Sequence, residues 1–412
     1  MKNWTNIEEL GASAHARRPK PVGNEPLIDE GLTAWRAASP RDLGCQATDF
    51  RSFASWKKMT GDFVAECLRF PASQDIAPPR LLESTDCGKT IREEWDIPVT
   101  PPLRAKATVF RPTGKPGPLP ALLALHSMGG LRIFGRHKFF ATDNEPTFLQ
   151  ECRRDCYDGI SLLEEWAGRG CVTMAIDALG FGERTREAAS QPETFDAWRR
   201  GCSSEEAAAF DQRASLHDEP TLVRQVESCG AVWAGLIVSD DRRCLDFLAA
   251  REDVDATRLG CFGLSYGAFR TNYLAALDER IRAAVSVCWM STLDGQLGYN
   301  TRGSLGWFMT ANPLFSRLDI PDLGALAAPR AFMALSGLDD IMLQPFGITD
   351  AHQHLRKAYI AAGCPEKLGS LILPGGHHFQ VERQAAAWSF LARHLGMAQS
   401  GLEKSANDLS HG

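Results

Sequence analysis

Short apolar runs recur through the second and third quarters of the chain and again near its end. They are ALLALH (121–126), VTMAID (172–177), RLGCFG (258–263), AAVSVCW (283–289), RAFMAL (330–335) and SLILPG (370–375). A further strand-like stretch covers Arg104–Phe110. Between these runs lie segments of helical length, at 229–250, 266–278, 349–362 and 380–396. A strand that is apolar at every position is covered on both faces, which is the condition inside a parallel sheet flanked by helices. The pattern therefore predicts a doubly wound α/β fold with a mostly parallel sheet. In such sheets ligands bind beyond the carboxyl ends of the strands, so chemistry is expected in the residues that follow each run.

The amino-terminal part reads differently. Phe53, Trp56, Phe63, Val64 and Cys67 recur at helical spacing and predict an amphipathic helix within Thr48–Phe70. Pro71, Pro78, Pro79, Pro98, Pro101 and Pro102 then punctuate an irregular connection. Three regions follow: a partly helical extension over 1–103, a catalytic unit over 104–398 and a flexible tail over 399–412. Segments near 131–170 and 183–228 are too long for ordinary connections and are expected to be lid insertions. The extension carries Trp4, Trp35, Trp56 and Trp95 without a motif, and could wall a site or bury an interface between copies of the chain.

Composition narrows the function. With 44% hydrophobic and 23% charged residues in 412, the chain has ordinary globular usage. The balance of 45 basic against 51 acidic residues gives a net charge of −6 with no basic block, which argues against a nucleic-acid partner. No apolar run is long enough to span a membrane, and the first twenty residues lack the apolar core of a signal peptide. The 12 cysteines form no C-x-x-C pair, which predicts reduced thiols and a cytoplasmic location.

The informative motif is Gly263-Leu264-Ser265-Tyr266-Gly267, a G-x-S-x-G pentapeptide between the run RLGCF and the helical AFRTNYLAALDER. A serine on such a strand-to-helix turn stands clear of the sheet, and the flanking glycines let backbone approach closely. A hydroxyl is a weak nucleophile and needs a base, itself oriented by a third group. Candidates follow two later strands: Asp339 and Asp340 after RAFMALSGL, and His377 and His378 after SLILPGG.

These elements, with VFRPTGKPGPLPALLALHSMGG, TMAIDALGFGER, RRCLDFLAAREDVDATRLGCFGLSYG, LAAPRAFMALSGLDD and LPGGHHF, resemble the α/β-hydrolase superfamily. Within it the chain looks most like the dienelactone-hydrolase-like and acetyl-xylan-esterase-like bacterial serine hydrolases, over about residues 104 to 396. The resemblance implies Ser265 as nucleophile, His377 as base with His378 the alternative, and Asp340 as acid with Asp339 the alternative. The oxyanion donors would be the backbone N–H groups of Tyr266 and Met128, the latter in His126-Ser127-Met128-Gly129-Gly130. Ser127 stands where the family commonly has glycine. His126 and Asp177 read as loop-shaping residues, and His352 and His354, two apart on a helix, do not make a metal pair.

The expected activity is hydrolysis of a carboxylic ester of a small or medium-sized molecule through an acyl-enzyme, with no metal and no organic cofactor. Trp289 and Phe134 are candidates to line the substrate pocket, against the plainer reading that the lid aromatics pack the lids onto the sheet. Amide or peptide cleavage and carbon–carbon bond hydrolysis would use the same triad. A non-catalytic binding protein on this fold is the reading of a different class.

Overall fold

The computed structural model describes residues 26–46, 52–72, 77–296, 307–309 and 313–398. Trp4, the amino-terminal start and the tail from 399 lie outside the described residues. Nine strands form one sheet: β1 (Arg80–Asp86), β2 (Thr90–Pro98), β3 (Arg104–Pro112), β4 (Leu119–Leu125), β5 (Val172–Ile176), β6 (Val254–Leu264), β7 (Ile281–Val287), β8 (Ala331–Gly337) and β9 (Leu368–Leu373). Their order is β1-β2-β3-β5-β4-β6-β7-β8-β9. β1, β2 and β3 run antiparallel to one another and β3 runs antiparallel to β5, whereas β5, β4, β6, β7, β8 and β9 are mutually parallel.

The continuous apolar runs have the origin the sequence suggests. In β4, Ala121, Leu123 and Leu125 enter one core while Leu122 and Ala124 enter the other. In β8, Phe332 and Ala334 face the first core, and Ala331, Met333 and Leu335 the second. Helices Phe53–Leu68, Trp233–Ala249, Tyr266–Leu277 and Pro345–Ala361 supply buried side chains to the first core. Helices Leu162–Gly170 and Val381–Leu395 cover the second.

The sheet extends beyond the expected boundary at 103/104, because β1 and β2 belong to it. β1 is an edge strand exposed along most of its length, and β2 buries only Thr90, Glu93 and Ile97. Charged side chains line these ladders: Arg80 Nη2 of β1 donates to Asp96 of β2 at 2.8 Å, and from β3 Arg111 Nε donates to Glu93 at 2.8 Å and Arg104 Nε to Asp96 at 2.9 Å. A strand held in this way shows no apolar alternation. A helix over Pro26–Ala38 comes first; the expected amphipathic helix begins at Phe53, capped by Ser52, and docks through Trp56, whose indole N–H donates to Leu43 O at 2.8 Å.

The first long insertion is shorter than expected. Helix Leu162–Gly170 lies on the sheet, with the Trp166 ring centroid 4.4 Å from that of Phe262. What remains, with 183–228, builds a small separate core from Leu131, Ile133, Phe134, Leu149, Phe195 and Phe210. Among the described residues no helix is long and apolar enough to cross a membrane, and all twelve cysteines are free thiols.

Candidate active site

Ser265 follows β6 and immediately precedes helix Tyr266–Leu277. Its backbone is strained at φ 59° and ψ −117°, a region a non-glycine residue enters only when its surroundings fix it there. Two contacts do so. The Ser265 N–H donates to Val287 O of β7 at 2.8 Å, and both motif glycines are enforced by backbone. A Cβ on Gly263 would stand 2.4 Å from the Gly267 carbonyl oxygen, and one on Gly267 would stand 1.8 Å from Leu125 O. The turn thus presses against β4, with the open amide end of the helix beside the hydroxyl-bearing residue.

The loops after β8 and β9 bring the second pair together. His377 Nδ1 lies 2.8 Å from Asp340 Oδ2, with the carboxylate buried and the imidazole partly exposed. The other oxygen, Asp340 Oδ1, accepts the Met342 N–H at 2.8 Å. Asp340 can therefore hold a proton on Nδ1, leaving Nε2 of His377 as the basic nitrogen. The neighbouring residues have other partners. Asp339 Oδ2 accepts the Gly375 N–H at 3.0 Å and closes the loop. His378 Nε2 accepts the Gly376 N–H at 3.2 Å, while Arg383 Nη1 stands 3.3 Å from its Nδ1. Burial, then the Arg383 charge, holds the His378 imidazole below the usual histidine range.

The turn after β4 carries Met128. His126 is fully buried, with Nδ1 2.9 Å from Ser127 O and Nε2 accepting the Ala178 N–H at 3.0 Å. Donating at Nδ1 and accepting at Nε2, it is the neutral tautomer, and burial drives its pKa well down. It fixes the turn. Gly129 and Gly130 both have φ of 59°, a left-handed conformation that glycine enters without a Cβ penalty. Asp177, after β5, accepts from the Arg136 N–H and Arg136 Nη1, both at 2.7 Å, and from the Glu183 N–H at 3.0 Å. It ties the two insertions to the sheet.

Two residues without a sequence signal stand behind these loops. Arg383 is buried and its guanidinium donates to four carbonyls of the histidine loop: Gly376 O at 2.7 Å, His378 O at 2.5 Å, Pro374 O at 3.1 Å and Gly375 O at 3.3 Å. Lys138 is also buried, with Nζ 2.9 Å from Ser127 O and 2.6 Å from Met128 O. Only a dipeptide spacing or charge pattern could have flagged either residue, and neither has one, because their targets are backbone carbonyls.

The two aromatic candidates separate. Trp289, after β7, joins a group around the elbow, 5.9 Å from Phe269 and 5.6 Å from Phe308, which in turn lies 4.9 Å from Tyr266. Phe134 packs inside the small core of the insertions, 6.1 Å from Phe148 and beneath the Arg199 guanidinium at 5.2 Å. These contacts pack it into the insertions.

Among the described residues two groups bring cysteine, aspartate and histidine donor atoms within 4.8 Å of one another: Cys288, Asp340 and His377, and Cys45, Asp322 and His354. In the second, His354 Nε2 is 2.7 Å from Asp322 Oδ1 and 3.0 Å from Cys45 Sγ. A tetrahedral zinc shell spreads such atoms to about 3.3–3.5 Å, so these are hydrogen-bond separations. His352 is likewise engaged, between Ser336 Oγ at 2.9 Å and Ser370 Oγ at 2.8 Å.

No protein-family model matches the chain. Among curated proteins it is 24% identical over 294 residues to "Putative hydrolase YtaP" of Bacillus subtilis strain 168, covering 71% of this chain and 84% of that protein. Among solved structures it resembles a protein of Bacteroides fragilis described as a "putative acetyl xylan esterase", at 17% identity and TM-score 0.62, over 86% of this chain and 83% of the other. It also resembles a CE15 glucuronoyl esterase from Teredinibacter turnerae (17%, TM-score 0.58, 94% and 99% covered) and a glucuronoyl esterase from Solibacter usitatus (15%, TM-score 0.56, 83% and 93% covered). With a strained serine turn after β6 and the His377–Asp340 pair on the loops after β8 and β9, this chain has the α/β-hydrolase fold.

Proposed function

We propose that the protein is a serine hydrolase of carboxylic esters. The carrying observation is the pairing of His377 with Asp340 at 2.8 Å, on the loops after β8 and β9 of the same parallel sheet whose strand β6 ends in the strained Ser265 turn. Ser265 Oγ attacks the acyl carbon while His377 Nε2 takes its proton, and Asp340 fixes the tautomer and stabilises the imidazolium. The tetrahedral oxyanion is held by the N–H groups of Tyr266 and Met128. His377 then returns the proton to the departing alcohol and later activates water against the acyl-enzyme. The scheme calls on no metal and no organic cofactor.

The esterase neighbours and the hydrolase relative support ester cleavage in this reading. The helices of 183–228, with 131–157, act as a cap over the site, and Trp289 and Phe308 wall its acyl side. Helix Phe53–Leu68 buttresses the sheet through the first core. The substrate is an ester of small or medium size, and carbohydrate esters of the kinds those neighbours are named for are the first to try.

Initial rates on p-nitrophenyl esters from acetyl to octanoyl, with Ser265→Ala as blank, test the reading. Turnover should vanish in the blank by several orders of magnitude while the protein stays folded. Undiminished turnover in Ser265→Ala, or none on any ester with folded wild type, would overturn it.

A further inference from the structure

Lys138 is a costly residue to bury. Its side chain has no exposure, and among the described residues no carboxylate lies within ion-pair distance of its Nζ. Burial pulls its pKa below the usual lysine range, opposed by the nearby Cys152 and Cys156 thiols and Asp211. Packing alone would be served by a methionine, which fills similar space without desolvating an ammonium. The charge is instead spent on Ser127 O and Met128 O, with the Phe181 ring 5.3 Å beneath it.

Those carbonyls belong to the turn that carries the Met128 amide. A trans peptide is planar, and its C=O and N–H point in opposite directions. Gripping Ser127 O from one side therefore fixes the Met128 N–H on the other, and gripping Met128 O does the same for the Gly129 N–H. His126 Nδ1, also 2.9 Å from Ser127 O, grips that peptide too. A cation on a carbonyl polarises the whole peptide unit and strengthens its N–H as a donor. Among the described residues no protein acceptor takes the Met128 N–H.

Resting on the ester-cleavage reading, we propose that Lys138 is a positioning residue for that reaction: its ammonium clamps the Ser127 and Met128 carbonyls so that the Met128 N–H is already aimed at the oxyanion before substrate arrives. Preorganisation of this kind acts on the tetrahedral state and leaves ground-state binding alone.

The test compares wild type, Lys138→Met, Lys138→Gln and Lys138→Arg. For each, kcat and KM on p-nitrophenyl acetate are measured with Ki for an alkyl trifluoromethyl ketone, whose hemiketal oxygen occupies the oxyanion position. Lys138→Met should lose about 10- to 100-fold in kcat with KM within about threefold, and Ki should weaken by the factor lost from kcat/KM. Lys138→Arg, which keeps the cation, should recover part of both. A purely packing role would lower Tm without that matched loss. A folded Lys138→Met with wild-type kcat, or a kcat loss not mirrored in Ki, overturns the inference. If Lys138→Met does not fold, Lys138→Gln, which keeps one donor, decides by the same criterion with an intermediate loss expected. Absence of Ser265-dependent turnover in wild type sinks the ester-cleavage reading and this inference with it, whereas Ser265-dependent turnover that is indifferent to Lys138 sinks this inference alone.

Discussion

Replacing Arg383 with methionine should damage stability and turnover together, by amounts its contacts allow to be worked out. The guanidinium donates to the carbonyls of Pro374, Gly375, Gly376 and His378. Each bond from a charged donor contributes about 1.5–3 kcal/mol when its acceptor is otherwise dry. The loop is half-open to solvent, and water can replace some of them, so the net loss should be about 3–4 kcal/mol. The two shortest of these bonds hold the residues on either side of His377. Letting that imidazole drift by an ångström costs on the order of 100-fold in rate. The variant Arg383→Lys, offering one point charge instead of a planar fork, should keep less than half of the stabilisation that methionine removes. Urea unfolding followed by tryptophan fluorescence gives the first quantity. Ester turnover, at a temperature where the unfolding curve shows the variant folded, gives the second. A methionine variant within about 1 kcal/mol of wild type and within threefold in kcat would refute the view that this arginine builds the histidine loop.

Asp340→Asn should cost about 10⁴-fold in kcat by stranding the wrong imidazole tautomer, whereas Asp339→Asn, which disturbs only the Gly375 contact, should cost less than tenfold in the same steady-state assay. Burial holds His352 neutral in the fold, at a pKa of about 3, while the unfolded chain takes up the proton near pH 6.5. Its contribution is therefore present in full above about pH 6.5 and is lost as the pH falls toward 3, by about 1.4 kcal/mol per unit, or about 2.7 kcal/mol by pH 4.5. His352→Gln should flatten urea-midpoint stability between pH 6.5 and 4.5 by that amount, and an unchanged slope would count against it. Gly267→Ala places a methyl 1.8 Å from Leu125 O and should destabilise by about 4 kcal/mol or more, read as lost soluble expression or a collapsed Tm.

What the sequence disclosed follows from which forces write themselves into residue type. The parallel strands were legible because both faces of β4 and β8 are buried, leaving unbroken apolar runs. The serine turn was legible because only glycine fits at 263 and 267. The antiparallel strands β1 and β2 were not, since Arg80–Asp96 ties β1 to β2, Arg104–Asp96 and Arg111–Glu93 tie β2 to β3, and the strands carry no apolar alternation. Residues 162–170 read as part of an insertion because length alone does not say which face of a helix meets the sheet. Phe134 could be counted as an aromatic near the site, but its direction, into the core of the insertions, depends on helices far along the chain. Lys138 and Arg383 were silent because every residue owns a carbonyl, and nothing in a sequence marks the ones a cation will seek.

The strand order has a consequence for how the protein is made. From β6 onward each new strand joins the outer edge of the sheet in the sequence in which it is synthesised, β6, β7, β8 and finally β9. Ser265 arrives with β6, the loop of Asp340 with β8, and the His377 imidazole only after β9. The arginine that braces the imidazole loop arrives later still, on helix Val381–Leu395. A growing chain can thus settle its central strands around the serine well before His377 emerges. On the ester-cleavage reading proposed above, the serine is assembled early and unarmed on the ribosome, and the emergence of β9 with the helix behind it acts as the arming step.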